Sequence, residues 1–491
     1  MEKAGGIVVV NNSPAPGPRP DGERQEPLVK WCAVTLSEVL SKGNRLEASV
    51  FDLAAKQARS LVDAGRYPVA AVCGQKGFAY AYTRGRFKRL WVDESDYPIY
   101  QPSTILDLKP TPDGYLSPRT RVDIDALRMK KGQVLMTCSG TIGKVAYVSD
   151  TLDGLIFSHD LLRIQCKDPG DAGYLYTYFK TAVGHKILTT NRYGAVISHI
   201  EAEHLAEVPV PDAPGPVKEA IHGRIVRSYQ LRDVSNSLLD RASDLLTAAL
   251  ALPPIKTWTG AGSSLRTFCV PLHRLAGRAD ASYHVPVTDA ILAHLETHAE
   301  EVTTVGDARV SKAVILPGRF KRVYVEEGQG YVLIGGKQLH ELDPSNKKYL
   351  SRAKHGKRVR DELTLTEGTT LITRSGTIGK VALVPRHWEN WVASEHIIRV
   401  VPACREIAGY LNVFLSSAYG HALISRFTYG SVVDEIDDNH VRQIAIPLLK
   451  DHRLQEQINA LALEANQKRY EAYCLEQEAL RIMEEEVLFA R

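Results

Sequence analysis

The sequence predicts an α+β protein in which two tandem mixed α/β modules alternate with two long α-helices, and the helices pair as an antiparallel coiled coil with pseudo-two-fold symmetry. Three observations predict this. The octapeptide SGTIGKVA stands identically at 139–146 and 375–382. The similarity around it runs through most of the chain in unchanged order, which marks one unit of about 230 residues used twice. Two stretches, 217–252 and 454–489, share a seven-residue periodicity in one register.

Residues 1–27 are expected to form a disordered leader, because NNSPAPGPRPDGERQEP (11–27) is rich in Pro, Gly and charge. The IVVV before it is too short for a signal-peptide core, and no apolar run approaches membrane-spanning length. Hydrophobic residues at 44% and charged residues at 24% of 491 give a globular composition with room for roughly two to four domains. The seven cysteines are scattered without a C-x-x-C pair, which argues against a disulfide framework or zinc module and fits a reducing, cytoplasmic setting. Net charge is only +4, so any nucleic-acid binding has to come from local basic patches.

The first module covers 28–215 and the second 265–449, with a linker at 253–264. GRFKRLWV (85–92) returns as GRFKRVYV (318–325), and KGQVLMTCSGTIGKVAYV as EGTTLITRSGTIGKVALV. HDLLRI returns as EHIIRV, aligning Arg163 with Arg399. AGYLYTYFKTAVGHKIL returns as AGYLNVFLSSAYGHALI, and RYGAVISHIEAEHL as TYGSVVDEIDDNHV. The lead-in segments NRLEASVF (44–51) and GRADASYH (277–284) correspond too and are expected to be helical.

The long helices are expected at 216–252 and 450–491. In the first, Val217, Arg224, Leu231, Leu238, Leu245 and Leu252 form one line, and Ile221, Ser228, Ser235, Ala242 and Ala249 a companion line of smaller residues. In the second, the lines are Leu454, Leu461, Lys468, Leu475, Ile482 and Phe489, and Ile458, Ala465, Ala472, Ala479 and Glu486. Large residues on one seam and small ones on the other suit close helix pairing. Packing of each helix on its own module is the alternative, and the shared register favours mutual pairing. A rod of this length, about 54 Å at 1.5 Å per residue, paired antiparallel, would set two modules more than one DNA turn of about 34–36 Å apart. An imperfect repeat of this kind would meet two different half-sites.

SGTIGK invites a phosphate-loop reading, but the spacing fails. Such a loop needs G-x-x-x-x-G-K-[ST], whereas Cys138 and Arg374 stand where the first glycine belongs and Val follows Lys144 and Lys380. The flanking β-prone runs predict a tight turn, with Gly140, Gly143, Gly376 and Gly379 supplying backbone angles other residues resist. A phosphate contact by Lys144 or Lys380 is the minor alternative.

GRFKR-(Y/W)V, YLS, LITRSGTIGKVALV, SEHIIRV, GYL, YGSVV and a short IPL exit resemble the target recognition domains of type I restriction–modification specificity subunits. The segments Arg45–Val50 and Arg278–Tyr283 fit the same pattern. The resemblance covers nearly the whole chain from about residue 28, twice in the same order. It implies two recognition domains alternating with an antiparallel coiled coil in a non-catalytic subunit. Its partners would be double-stranded DNA, two adenine-N6 methyltransferase subunits, and often a restriction/translocase subunit, placed on an asymmetric site in two parts separated by a gap. No cofactor belongs to this chain by that resemblance; S-adenosylmethionine, and ATP with Mg²⁺, would sit on the partner subunits.

Candidate DNA contacts follow from charge. The most basic stretch, 346–360, carries Lys347, Lys348, Arg352, Lys354, Lys357, Arg358 and Arg360. Two readings stand for it, a solvated face or a phosphate-binding surface. Its counterpart in the first module is mixed, with Arg119 and Arg121 as the best candidates. RGRFKR and PGRFKR bring Arg84, Arg86, Lys88, Arg89, Arg319, Lys321 and Arg322 beside an aromatic, either as a solvated strand edge or as contacts to invariant backbone. RYG and TYG bring Arg192, Tyr193 and Tyr429 into a loop where the tyrosines pack internally or reach phosphate, and packing is favoured. His159 and His396 lack partners at metal-ligand spacing, so no metal site is expected and ordinary polar contacts are.

The last helix is acidic, with Glu471, Glu476, Glu478, Glu484, Glu485 and Glu486. Solvation is the default explanation, and a basic surface on a partner subunit is the functional one. No N-P-P-[YF] tetrad or dinucleotide fingerprint occurs, so catalysis is assigned to other chains. Two rivals remain. One is a nucleotide-dependent enzyme using Lys144 and Lys380; the other is a coiled-coil scaffold without DNA affinity.

Overall fold

The structure is a computed structural model describing residues 7–10, 31–41, 44, 48–190, 199–259, 267–275, 277–430 and 432–490. The chain divides into two compact units, Met1–Gln230 with Cys474–Arg491, and Leu231–Tyr473. Both boundaries fall inside long helices, Gly215–Ala249 and His452–Ile482.

In the first unit an antiparallel sheet orders its strands Ala79–Tyr82, Leu161–Cys166, Val134–Thr137, Val145–Tyr147. Successive strand residues point to opposite faces. Val134, Met136, Leu162 and Ile164 therefore enter the core beneath the buried helix Ala172–Lys180, while Leu135 and Leu161 enter a second core with Tyr100 and Phe157. That second core lies against a smaller mixed sheet ordered Ile156–Phe157, Pro98–Tyr100, Gly114–Leu116, Trp91–Val92.

The second unit has the same design. Its larger sheet runs Ser311–Ile315, Ile397–Pro402, Thr370–Thr373, Val381–Leu383. Its smaller sheet runs Tyr324–Val325, Lys348–Ser351, Gly330–Ile334, Val392–Ala393. Every strand of these two sheets occupies the place of its sequence counterpart.

The two long helices meet within each unit. In the first, Ile221, Ile225 and Tyr229 share a core with Ala479, Ile482 and Met483, and the Arg224 guanidinium donates to Glu478 at 2.9 Å. In the second, Arg469 donates to the Ser235 hydroxyl at 2.9 Å, and Ala242 and Leu246 share a core with Ile458, Leu461 and Ala462. The companion line is the more deeply buried one: Ser228, Ser235, Ala242, Ala465, Ala472 and Ala479 are all 0% exposed, and Ala249 is half-buried.

Several expectations need correction. The line ends predicted at Glu486 and Phe489 are exposed, because Met483–Leu488 is a π-helical turn that adds a residue and moves burial to Met483, Val487 and Leu488. Glu476 is not a solvated acid; it is 1% exposed, accepts from the Tyr176 hydroxyl at 2.8 Å and pairs with Lys180. The lead-in segments are not α-helices: Ala48–Phe51 is one 3-10 turn and 281–284 a turn. The helices come just after, at Leu53–Asp63 capped by Asp52 and at Pro286–His298. Within the leader, Ile7–Val10 is a strand antiparallel to Trp31–Val34, as four apolar, mostly β-branched residues favour; its other residues lie outside the described ones. Among the described residues no helix is long and apolar enough to cross a membrane.

Burial sets an acid limit on the second unit. Burial pushes His340 and His387 down to about 4, each with a ring nitrogen held by a carbonyl, Val381 O at 3.2 Å and Leu342 O at 2.8 Å. Below pH 6.5 the unfolded chain takes up protons that the native imidazoles resist, so stability is lost as pH falls from 6.5 to about 4. Each histidine accounts for about 3 kcal/mol of that loss. Urea midpoints measured across this range should fall steeply in the wild type and more gently in a His340→Gln, His387→Phe variant.

Candidate nucleic-acid interface

The octapeptides form the same hairpin twice. Gly140 and Gly143 have φ of 70° and 81°, and Gly376 and Gly379 have 74° and 79°, the left-handed region that favours glycine. Thr137 Oγ donates to Thr141 O at 2.6 Å while accepting from the Lys144 N–H at 3.0 Å; Thr373 does the same with Thr377 O and the Lys380 N–H at 2.5 and 2.9 Å. The N–H groups of Gly143 and Gly379 donate to the carbonyls of Thr137 and Thr373. These donors, which a phosphate cradle would need, are engaged inside the turn. The Lys144 and Lys380 side chains are half-buried.

In the second unit, segments far apart in sequence converge beside this hairpin. Arg319 and Arg322 of GRFKR pair with Glu435 at 3.0 Å and Glu395 at 2.6 Å. Arg374, just before the hairpin turn, pairs with the other oxygen of Glu435 at 2.5 Å. Ser375 Oγ lies 2.8 Å from His396 Nδ1, and the backbones of Tyr429 and Glu435 exchange hydrogen bonds. The charge of Arg322 holds Glu395 below the usual carboxylate range, against its own desolvation.

The basic run docks onto the same loop. Lys347 and Lys348 lead into the strand Lys348–Ser351, and Arg352–Arg358 is a helix capped by Ser351. His355 Nε2 accepts from the Val323 N–H at 3.1 Å, and Arg358 donates to Gly318 O at 2.6 Å with its guanidinium over Phe320. Lys347 pairs with Asp343 and Arg358 with Glu362. Lys321, Lys348, Arg352, Lys354, Lys357 and Arg360 are exposed.

The first unit builds the same frame with different charge. At the positions of Arg374, Glu395 and Glu435 stand Cys138, His159 and His199, and the bridge Ser139–His199 repeats Ser375–Glu435. No described acid pairs with Arg86 or Lys88 within ion-pair distance, and both are exposed. Arg84 stands over Tyr82 and Arg89 over Trp91. Burial, with Arg89, Arg86 and Arg163 nearby, holds His159 below its ordinary value despite Asp160. Arg119 and Arg121 are exposed in the turn after Gly114–Leu116, where Ser117 N–H donates to Leu90 O. Arg192 and Tyr193 lie outside the described residues.

Sequence reasoning passed over three features. Arg163 and Arg399 are buried cations held by carbonyls: Leu161, Phe157 and Leu127 at 3.2–3.4 Å for the first, and Thr364 at 2.9 Å for the second. Desolvation pushes both down to about 10. Their alignment was visible in the sequence, but their burial was not. Trp91 and Tyr324 are matched exposed aromatics two positions beyond the arginine run, a signal available had the run been read for more than charge. Trp91 lies across Gly114, where a Cβ would meet its ring at 2.8 Å, whereas the second unit has Lys348 there, 5.4 Å from the Tyr324 ring. The third feature is the acid pair Glu395 and Glu435.

No family model matches the sequence, and no curated protein matches it. Among solved structures the chain is similar to the S subunit of a type I restriction–modification system from M. genitalium, at 14% identity and a TM-score of 0.31 over 86% of this chain and 96% of that one. It is similar to the HsdS subunit from Thermoanaerobacter tengcongensis at 13% identity and a TM-score of 0.26, over 86% and 100% of the two chains. A chain from a structure described for complex assembly and conformational transition of the type I R-M system is similar at 14% identity and a TM-score of 0.26, over 82% and 97%.

Proposed function

We propose that this chain is the non-catalytic DNA-specificity subunit of a type I-like restriction–modification or phage-defence complex. Its two modules read the two parts of a gapped site, and it positions two adenine-N6 methyltransferase subunits, with a restriction/translocase subunit in a restricting complex. The reaction belongs to those cytoplasmic partners, with their S-adenosylmethionine, ATP and Mg²⁺. One observation carries the reading: a single frame is built twice, down to the threonine-held hairpin, while the charge displayed beside it differs between copies. A kept frame with changed surface groups is what two domains choosing different bases require. Against the nucleotide-enzyme rival stand the hairpin donors already engaged in the turn. Salt-dependent DNA binding would separate the reading from an inert scaffold.

The test is co-expression with the cognate methyltransferase and mapping of modified adenines. The expected motif has two parts separated by a gap, and exchanging residues 28–215 for those of another such subunit changes one part alone. A short uninterrupted motif would overturn the reading.

A further inference from the structure

In the second unit one carboxylate stands between two guanidiniums. Glu435 Oε1 accepts from Arg319 Nη2 at 3.0 Å, and Oε2 accepts from Arg374 Nη2 at 2.5 Å. The backbone beneath is laced to the hairpin: the Ile436 N–H donates to Arg374 O at 2.9 Å, and Tyr429 and Glu435 exchange hydrogen bonds at 3.0 and 2.7 Å. Arg374 is 9% exposed, whereas the Arg319 side chain is 73% exposed. Glu435 is thus fixed from the buried side and holds Arg319 on the open side. Arg319 is held at its root as well, since Arg358 donates to Gly318 O at 2.6 Å and His355 accepts from the Val323 N–H at 3.1 Å. Apart from the bond to Glu435, its guanidinium donates to no group among the described residues.

The first unit keeps the lacing and drops the tether. The Ile200 N–H donates to Cys138 O at 2.9 Å, as Ile436 does to Arg374, but Cys138 stands for Arg374 and His199 for Glu435. Arg86, the counterpart of Arg319, is exposed and pairs with no described acid. An arginine free to swing suits phosphate, which carries no sequence information. One whose root and tip are both set before binding aims its donors in a fixed direction, which reading a base edge requires. One carboxylate shared by two guanidiniums leaves a positive charge over, so the tether orients Arg319 without cancelling it.

We propose that Arg319, buttressed by Glu435, is a specificity-determining residue of the second module and reads a guanine from the major groove. After the bond to Glu435 the guanidinium retains a pair of parallel N–H donors, which match the O6 and N7 acceptors of guanine. Glu435 is a positioning residue, acting on the base through Arg319 alone. The inference rests on the DNA-specificity reading and deepens it by naming one residue and the base it selects.

The test uses the full chain assembled with its methyltransferase, and duplexes carrying the mapped two-part site with each base pair of the second module's part replaced in turn. Arg319→Lys keeps the charge and removes the fork of donors. It should weaken binding of the mapped site by about tenfold to a hundredfold and abolish discrimination at one G·C pair, with the slope of log affinity against log salt unchanged. Glu435→Gln should relax the same pair without loss of non-specific affinity, because the arginine stays and its tether goes. Unfolding midpoints should match the wild type in Arg319→Lys, whose side chain is exposed. A second part without a G·C pair, full discrimination in Arg319→Lys, or a loss spread evenly over all sequences overturns the proposal and leaves the two-part reading intact. A map with no two-part motif removes both.

Discussion

Replacing Arg352, Lys354, Lys357 and Arg360 together with alanine should lower affinity for duplex DNA by up to about a thousandfold at 0.15 M salt. All four are exposed, and none forms an ion pair among the described residues. Lys347 and Arg358 of the same stretch are tied to Asp343 and Glu362 and should matter less for binding. Each phosphate contact contributes about 0.9 to the slope of log affinity against log salt, so four lost contacts flatten that slope by about 3.6. The ceiling on the affinity change follows from the same slope taken between 0.15 M and 1 M salt. Titration by fluorescence anisotropy at several salt concentrations reads both quantities. A slope unchanged from wild type would assign these side chains to a solvated face. The helix itself should survive, because Ser351, His355 and Arg358, which fasten it to the GRFKR loop, are untouched.

The GRFKR run does not behave alike in the two units. It is kept in sequence, yet Arg322 is paired with Glu395 and Arg319 shares Glu435 with Arg374, while the first unit has histidines at both acid positions. Positive charge in the second unit is displaced onto Arg352–Arg360, whereas in the first it stays on the loop and on Arg119 and Arg121. Two copies of one scaffold therefore display different arrangements of cations.

What could be read in advance was local. The hairpin turn follows from glycine spacing between β-prone runs, and the long helices from a seven-residue period, because both patterns are carried by neighbours in the chain. What could not be read depends on distant partners. Glu476 looks like one acid of a solvated face until Lys180 and Tyr176, some 300 positions earlier, close over it. The acids that pair with Arg319 and Arg322 lie 116 and 73 positions away. The π-turn at Met483–Leu488 breaks a heptad count that assumes one uniform pitch. The displacement of charge between the two modules was partly legible, since the basic run and its mixed counterpart differ in the sequence itself.

Gly409→Ala should be among the most damaging single substitutions in the second unit. The N–H of Gly409 donates to Asn459 Oδ1 at 2.8 Å, so the buried helix Arg405–Ser416 begins in direct backbone contact with the long helix. An added Cβ would lie 3.0 Å from the Ala462 Cβ and closer still to the Asn459 carbonyl oxygen. The first unit repeats the approach, with Gly173 donating to His222 Nδ1 at 3.1 Å and a Cβ there falling 2.7 Å from the His222 Cα. Relief requires the helices to separate, but Tyr410 and Phe414 behind Gly409 are 0% exposed, and Tyr410 is tied to Pro447 O at 2.5 Å. Overpacking of about 1–3 kcal/mol adds to a weakened buried hydrogen bond of about 1–3 kcal/mol. For a unit of this size that lowers the melting temperature by about 10 °C. Gly356→Ala is the control: it lies in a helix with only a flexible Arg360 nitrogen within 3.6 Å, and there alanine should be neutral or stabilising. Calorimetry of the two variants beside the wild type decides the matter. Equal midpoints for all three would mean that the module is not seated on the long helix through this contact, and the close approach at Gly173 and Gly409 would have to be explained by something other than packing.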